Sequence, residues 1–197
     1  MTTTPLALPG PPPPARPRVL MIATALGIAG AAMLLMTLVG AYLSLRTAAG
    51  GTTGDWVPDG ASLPLVPANI ALITLLMSSV TVQWAITAIG RNDRSNGYLA
   101  LGLTVLFGFA YVNSIVFYIG QLGVGIDSTY GVVTYATLGA HLALTVVGIV
   151  FLASTAFRAL GGHFSPRDRE GLAAAAMAWH AVVAGFVPVI AAVVWLK

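Results

Sequence analysis

Cysteine is absent from the 197 residues, which removes disulfides, thiolate ligands and iron–sulfur sites from consideration. Charge is nearly as scarce. Only 8% of the residues are Asp, Glu, Lys or Arg, against roughly 25% in soluble globular domains. A chain this poor in charge cannot cover a water-facing surface. Buried acids are missing too, because all six Asp and Glu lie near the ends of long uncharged runs.

Those runs are what the chain has instead. No charge falls between Arg18 and Arg46, Asp59 and Arg91, Arg94 and Asp127, Asp127 and Arg158, or Glu170 and Lys197. Each interval holds the roughly 20 apolar residues that a membrane-crossing helix needs. The expected fold class is all-α, an integral membrane bundle of five helices. They are placed at Val19–Leu45, Val66–Gly90, Asn96–Gln121, Tyr130–Phe157 and Pro166–Leu196. Strands are excluded, since the hydrophobicity does not alternate and an open sheet edge is not viable in lipid.

Arg16, Arg18, Arg91, Arg94, Arg158, Arg167 and Arg169 fall on one side of a five-span topology, and only Arg46 and Lys197 on the other. This asymmetry predicts a cytoplasmic N-terminus and an external C-terminus. The net charge of +3 therefore reflects topology and not a nucleic-acid partner, because the arginines neither cluster nor interleave with aromatics. The preference for arginine over lysine and the abundance of alanine suggest a GC-rich bacterial genome, and hence a bacterial plasma membrane.

Residues 1–18, "MTTTPLALPGPPPPARPR", hold seven of the twelve prolines and read as an extended, disordered cytoplasmic tail. They lack the pattern of a signal peptide. Residues 19–197 form the transmembrane domain. In the first external loop, Trp56 is expected at headgroup level. Before the fifth helix, Ser165, Pro166 and Asp168 resemble a capping box with proline at the first helical position. Pro188 should kink that helix. No internal repeat supports an inverted-repeat transporter.

Ionisable residues at membrane depth are functional candidates, and here only His141 and His180 qualify. Weaker polar groups are Gln83, Asn113, Tyr42, Tyr111, Tyr118, Thr81 and Ser114. With a rise of about 1.5 Å per residue, His141 lies roughly 16 Å in from the outer end at Tyr130 and His180 roughly 14 Å beyond Gly171 at the inner face, both near the midplane. Two histidines on neighbouring helices could ligate a haem. A metal site needs three or four ligands with a supporting shell, and a proton relay needs acids in series; neither is visible. The reading favoured is structural. His141, Trp179 and His180 are expected to form one midplane cluster that ties the last two helices together by hydrogen bonds. No catalytic, cofactor-binding or metal-binding residue is assigned. Gly27, Gly30 and Ala31 in the first helix, and "AAAAMA" in the fifth, give faces that admit a close helix or a lipid.

The segments "GAHLALTVVGIVFLASTAFR" and "GHFSPRDREGLAAAAMAWHAVV" resemble the last two helices of subunit III of the haem–copper oxidases. Gly139, His141 and Gly148 match the first, and His163, Phe164, Trp179 and His180 the second. "AYLSLR", with Tyr42 and Ser44, resembles the family's tyrosine–serine segment. Trp56, Asn69 and Trp84 fit its tryptophan–proline loop and asparagine-led helix, and Tyr130 and Gly131 its tyrosine–glycine entry to the fourth helix. The resemblance covers residue 23 onward and implies the bacterial five-helix short form of cytochrome c oxidase subunit III.

The resemblance implies a non-catalytic component of an aerobic terminal oxidase. Haem and copper would sit in the partner subunits, the catalytic subunit I and other respiratory subunits would be the protein partners, and phospholipid would occupy a groove. Where the family carries buried acids, this chain has Ala31, Val116 or Phe117, Ala173 and Val183, and Leu144 stands for a second histidine. These departures imply no direct proton role. They also admit an accessory subunit of a nitric-oxide reductase or quinol oxidase. Outside the family, a standalone transporter or a b-type cytochrome is the alternative.

Overall fold

The computed structural model describes residues 18–51, 56–166 and 168–196. It contains five long helices, α1 (Val19–Ala48), α2 (Leu65–Gly90), α3 (Arg94–Gln121), α4 (Thr129–Leu160) and α5 (Glu170–Ile190), the last continuing into a π-helical turn, Ala191–Trp195. All five are long and apolar enough to cross a membrane, and no strand occurs among the described residues. The chain is an all-helical, multi-pass membrane protein. The proline-rich tail expected at residues 1–18 lies outside the described residues but for Arg18.

The first four helices begin and end within three residues of the positions expected from the charge-free runs. The fifth starts later, at Glu170 instead of Pro166. The cause is local. Ser165 Oγ accepts from the backbone N–H of Asp168 (3.1 Å), and the backbones of Ser165 and Asp168 exchange hydrogen bonds of 3.0 and 3.2 Å. The serine thus closes a turn of its own ahead of the helix and does not cap it. At the other end, Pro188 lacks the N–H that would bond back into α5. The ladder widens one turn later to the i→i−5 pattern, with Leu196 N bonding Ala191 O at 2.8 Å.

α2 and α3 form a hairpin. The turn is closed by Asn92 in the left-handed region (φ 61°), which Asn tolerates better than most residues. Asp93 then caps α3, accepting from Asn96 N at 3.2 Å and from the Asn96 amide at 2.6 Å. α5 packs against α1, α2 and α4, and α3 packs against α2 and α4. The helix surfaces meet through small residues where they come closest. A Cβ on Gly97 would lie 2.6 Å from Ile89, and one on Gly185 3.0 Å from Leu35. Ala174, Ala175 and Ala176, from the "AAAAMA" run, are all buried.

α1 is the peripheral helix. Of its 30 residues only Leu35, Val39 and Tyr42 are buried. It is held at two points. At the arginine-rich end of the bundle, Glu170 Oε1 accepts from Met21 N (3.2 Å), satisfying one of the four N–H groups that a helix start leaves open. At the opposite end, Tyr42 is buried among aromatics from the first loop and α4. Between these anchors Leu35 and Val39 pack into the bundle, and the rest of α1 stays largely exposed.

Candidate functional site

Trp179 occupies the centre of the fold. Its indole lies fully buried against α3 and α4 at two glycines. A Cβ on Gly108 would sit 3.0 Å, and one on Gly148 3.1 Å, from the ring. The space for the largest side chain in the bundle therefore comes from omitting side chains on two neighbours. Its Nε1–H donates to Ser78 Oγ of α2 (2.9 Å), and Ser78 in turn donates to Leu75 O (2.6 Å). One residue of α5 thus touches α2, α3 and α4.

His141 is also fully buried, and both ring nitrogens are engaged. Nε2 lies 2.9 Å from Val182 O of α5. A carbonyl only accepts, so Nε2 carries the proton and Nδ1 is the acceptor. Tyr111 of α3 donates its hydroxyl to Nδ1 at 2.6 Å. Phe186 closes the assembly, with centroids 5.1 Å from Tyr111 and 5.0 Å from His141. The lone pair that a metal would need is already accepting the tyrosine proton. Among the described residues, no group of three or more His, Cys, Asp or Glu could hold a metal ion.

His180 points elsewhere. Its Nδ1 lies 2.6 Å from Ser79 Oγ and its Nε2 3.4 Å from Gln83 Oε1, both on α2. Trp179 and His180 are successive residues, about 100° apart around the helix. The expected single cluster is therefore two sites. His141 joins α4 to α3 and α5, while Trp179 and His180 join α5 to α2 through Ser78 and Ser79. A further bond, Thr81 to Thr104 at 2.8 Å, ties α2 to α3. Ser78, Ser79 and Thr104 do not stand out in the sequence, because hydroxyls are common in apolar helices. The four-residue spacing of Ser79 and Gln83, which puts both on one face of α2, is the signal the sequence carries.

Three of the remaining motif residues come together at the end opposite Glu170. Tyr42, Trp56 and Tyr130 pack with ring centroids 5.4, 5.6 and 6.5 Å apart. Trp56 is buried here as a plug over the bundle, not spread at the lipid surface. Gly131 is required beside them, since a Cβ would collide with the carbonyl of Gly125, and its N–H donates to the capping Ser128 (3.0 Å). At the arginine-rich end, His163 Nδ1 donates to Arg158 O (3.0 Å). Phe164 is buried under the Arg158 guanidinium, 5.4 Å from the ring centroid. Ser44, Asn69 and Trp84 are exposed. Nothing in the structure explains Gly139, which faces open space.

Two grooves open on the sides of the bundle. The larger, about 650 Å³, lies between α1, α4 and α5 and is almost wholly apolar. Gly27 and Ala31 line it, and a Cβ on Gly27 would meet nothing within 4 Å. The small residues of α1 therefore bound an opening and do not bring backbones together. The second, about 540 Å³, is shallow and is lined by Ser79, Gln83, Trp84 and His180.

The chain matches the family model described as cytochrome c oxidase subunit III over residues 16–196. It is similar to cytochrome c oxidase subunit 3 of Gallus gallus, 34% identical over 134 residues, which is 66% of this chain and 51% of the relative. The proteins of the same name from Carassius auratus and Tetraodon nigroviridis are each 33% identical over the same shares. The chain spans about half the length of the curated relatives it matches.

Proposed function

The chain belongs to the cytochrome c oxidase subunit III family, and from that premise we propose that it is a non-catalytic subunit of an aerobic haem–copper terminal oxidase. Its work is to brace the catalytic subunit, with haem and copper held by its partners, in a bacterial plasma membrane. The observation that carries this reading is the use made of polar groups at depth. Trp179, His141, Tyr111, Thr81 and Thr104 are committed to bonds between helices. No acid lies within the apolar runs to move protons. Interhelical bonds of this kind contribute about 0.6 kcal/mol each on average and up to about 1.7. Together they tie the helices into a rigid scaffold.

The arginine distribution supports a cytoplasmic N-terminus. The apolar groove beside α1 supports a phospholipid chain as its occupant, since it has the volume and lacks polar groups to bind anything hydrophilic.

Extraction from native membranes in mild detergent, with identification of the co-purifying subunits and lipids, tests the proposal. Recovery with an oxygen-reducing haem–copper core supports it. A nitric-oxide reductase or quinol oxidase core would keep the subunit role and change the partner. Replacing His141 and His180 together by alanine should loosen the subunit while leaving the haem absorbance of the complex in place. A coloured, monomeric chain active on its own would overturn the assignment.

A further inference from the structure

The two lateral grooves differ in chemistry, and the difference distinguishes lipid from protein. The groove beside α1 is almost wholly apolar. The opposite one, between α2 and α5, sets hydrogen-bonding groups on the outside of the bundle at membrane depth. His180 lies within about 4 Å of the middle of its helix by rise, and Gln83 about 8 Å from the middle of α2. Gln83, Trp84 and Thr87 are exposed and His180 is half-buried.

The hydrogen-bond directions say what is missing. With Ser79 donating to Nδ1 of His180 (2.6 Å), the Nε2–H donates to Gln83 Oε1 (3.4 Å). The Gln83 amide nitrogen then has two donors and no acceptor among the described residues. Lipid tails offer none either. The Thr87 hydroxyl, one turn on, donates to Gln83 O (3.0 Å) and receives no bond from the Gln83 amide. Trp84 stands beside the amide, 40% exposed, with the apolar body and single donor typical of side chains that anchor protein interfaces.

We infer that the α2–α5 face around Gln83, Trp84 and His180 is the surface that docks a transmembrane helix of the partner subunit, and that this helix presents a hydrogen-bond acceptor to the Gln83 amide. The inference rests on the proposed subunit role and adds the face through which it is exercised. The apolar α1 groove faces lipid in the same assembly.

Because the chain has no cysteine, single cysteines can be placed without background. Val80→Cys and Thr87→Cys flank the polar patch, and Val147→Cys on α4 lies on the apolar groove. Each variant, expressed in full with the oxidase subunits, is labelled in membranes with a benzophenone maleimide and irradiated. Cross-links to a partner subunit from positions 80 and 87, at least several-fold above those from 147, are expected. In addition, Gln83→Leu should lower the co-purified partner several-fold, and Gln83→Asn should restore part of it. Cross-linking to a partner from 147 and not from the patch overturns the docking face but leaves the subunit role standing. So does co-purification without any cross-link from 80 or 87, or a cross-link from the patch to a second copy of this chain. Absence of any co-purifying subunit overturns the subunit role itself.

Discussion

Replacing Tyr111 by phenylalanine removes one oxygen from the middle of the bundle and nothing else. The ring keeps its edge contacts to Phe186 and His141. What disappears is the donor to His141 Nδ1, 2.6 Å away. The imidazole cannot turn to compensate, because Nε2 is fixed on Val182 O. Thr145 Oγ1 lies 3.5 Å from the same nitrogen but already donates to His141 O at 2.9 Å. In water-soluble cores an orphaned buried acceptor costs about 1–3 kcal/mol. Membrane references lower this, because the separated helices also find partners. A loss of about 1 kcal/mol, roughly fivefold in the unfolding constant, is expected. The assay is SDS titration of the purified protein in mixed micelles, followed by tryptophan fluorescence, for Tyr111→Phe, His141→Phe and the double variant. The cycle should give a coupling of about 0.6–1.7 kcal/mol. A coupling within about 0.3–0.5 kcal/mol of zero, the ordinary error of additivity, would mean that the bond is not what joins α3 to α4.

The glycines under Trp179 make a sharper contrast. Gly108→Ala and Gly148→Ala should each destabilise by about 1–3 kcal/mol through overpacking, whereas Gly102→Ala and Gly139→Ala, where a Cβ meets nothing, should be neutral or slightly stabilising in the same titration. At the α3 cap, the Asn96 side chain and then its backbone N–H hold the Asp93 carboxyl below its ordinary value. A depressed folded value means that the cap's contribution is present above the unfolded value of about 3.9 and is lost as pH falls through the folded one. Amide exchange at Asn96 should therefore quicken on acidification below pH 4 in the parent and be fast and pH-insensitive, beyond the intrinsic rate, in Asp93→Ala. Glu170→Ala should release the Met21 N–H and speed its exchange, with little change at Tyr42. Equal protection at Met21 would show that α1 is not held there.

The sequence made the spans legible because a charge at membrane depth is so costly that its absence marks each helix. It did not make the start of α5 legible. Ser165, Pro166 and Asp168 satisfy the composition of a cap, but composition does not say whether the serine bonds into a helix or closes a turn. The Glu170 carboxylate goes to a helix 149 positions away, a tertiary demand that no local pattern encodes. Tyr42, Trp56 and Tyr130 were each legible as motif residues, yet their meeting in one cluster depends on how α1 and the first loop close over α4.

The separation of His141 from His180 had a legible part. Residues 179 and 180 point about 100° apart, so a neighbour that buries one cannot bury the other to the same degree. The face of Trp179 continues through Val183 and Phe186, at spacings of four and three, and all three are buried. The face of His180 meets Ser79 and Gln83, themselves four apart on α2. By helix face the polar residues divide into two sites, where by depth alone they share one. The face that carries Gln83 joins it to the half-buried His180 and to the exposed Trp84 and Thr87. A buried polar residue in such a bundle fixes helix to helix. A polar residue left on the outside at the same depth is unfinished business, and in a subunit its natural complement is another chain.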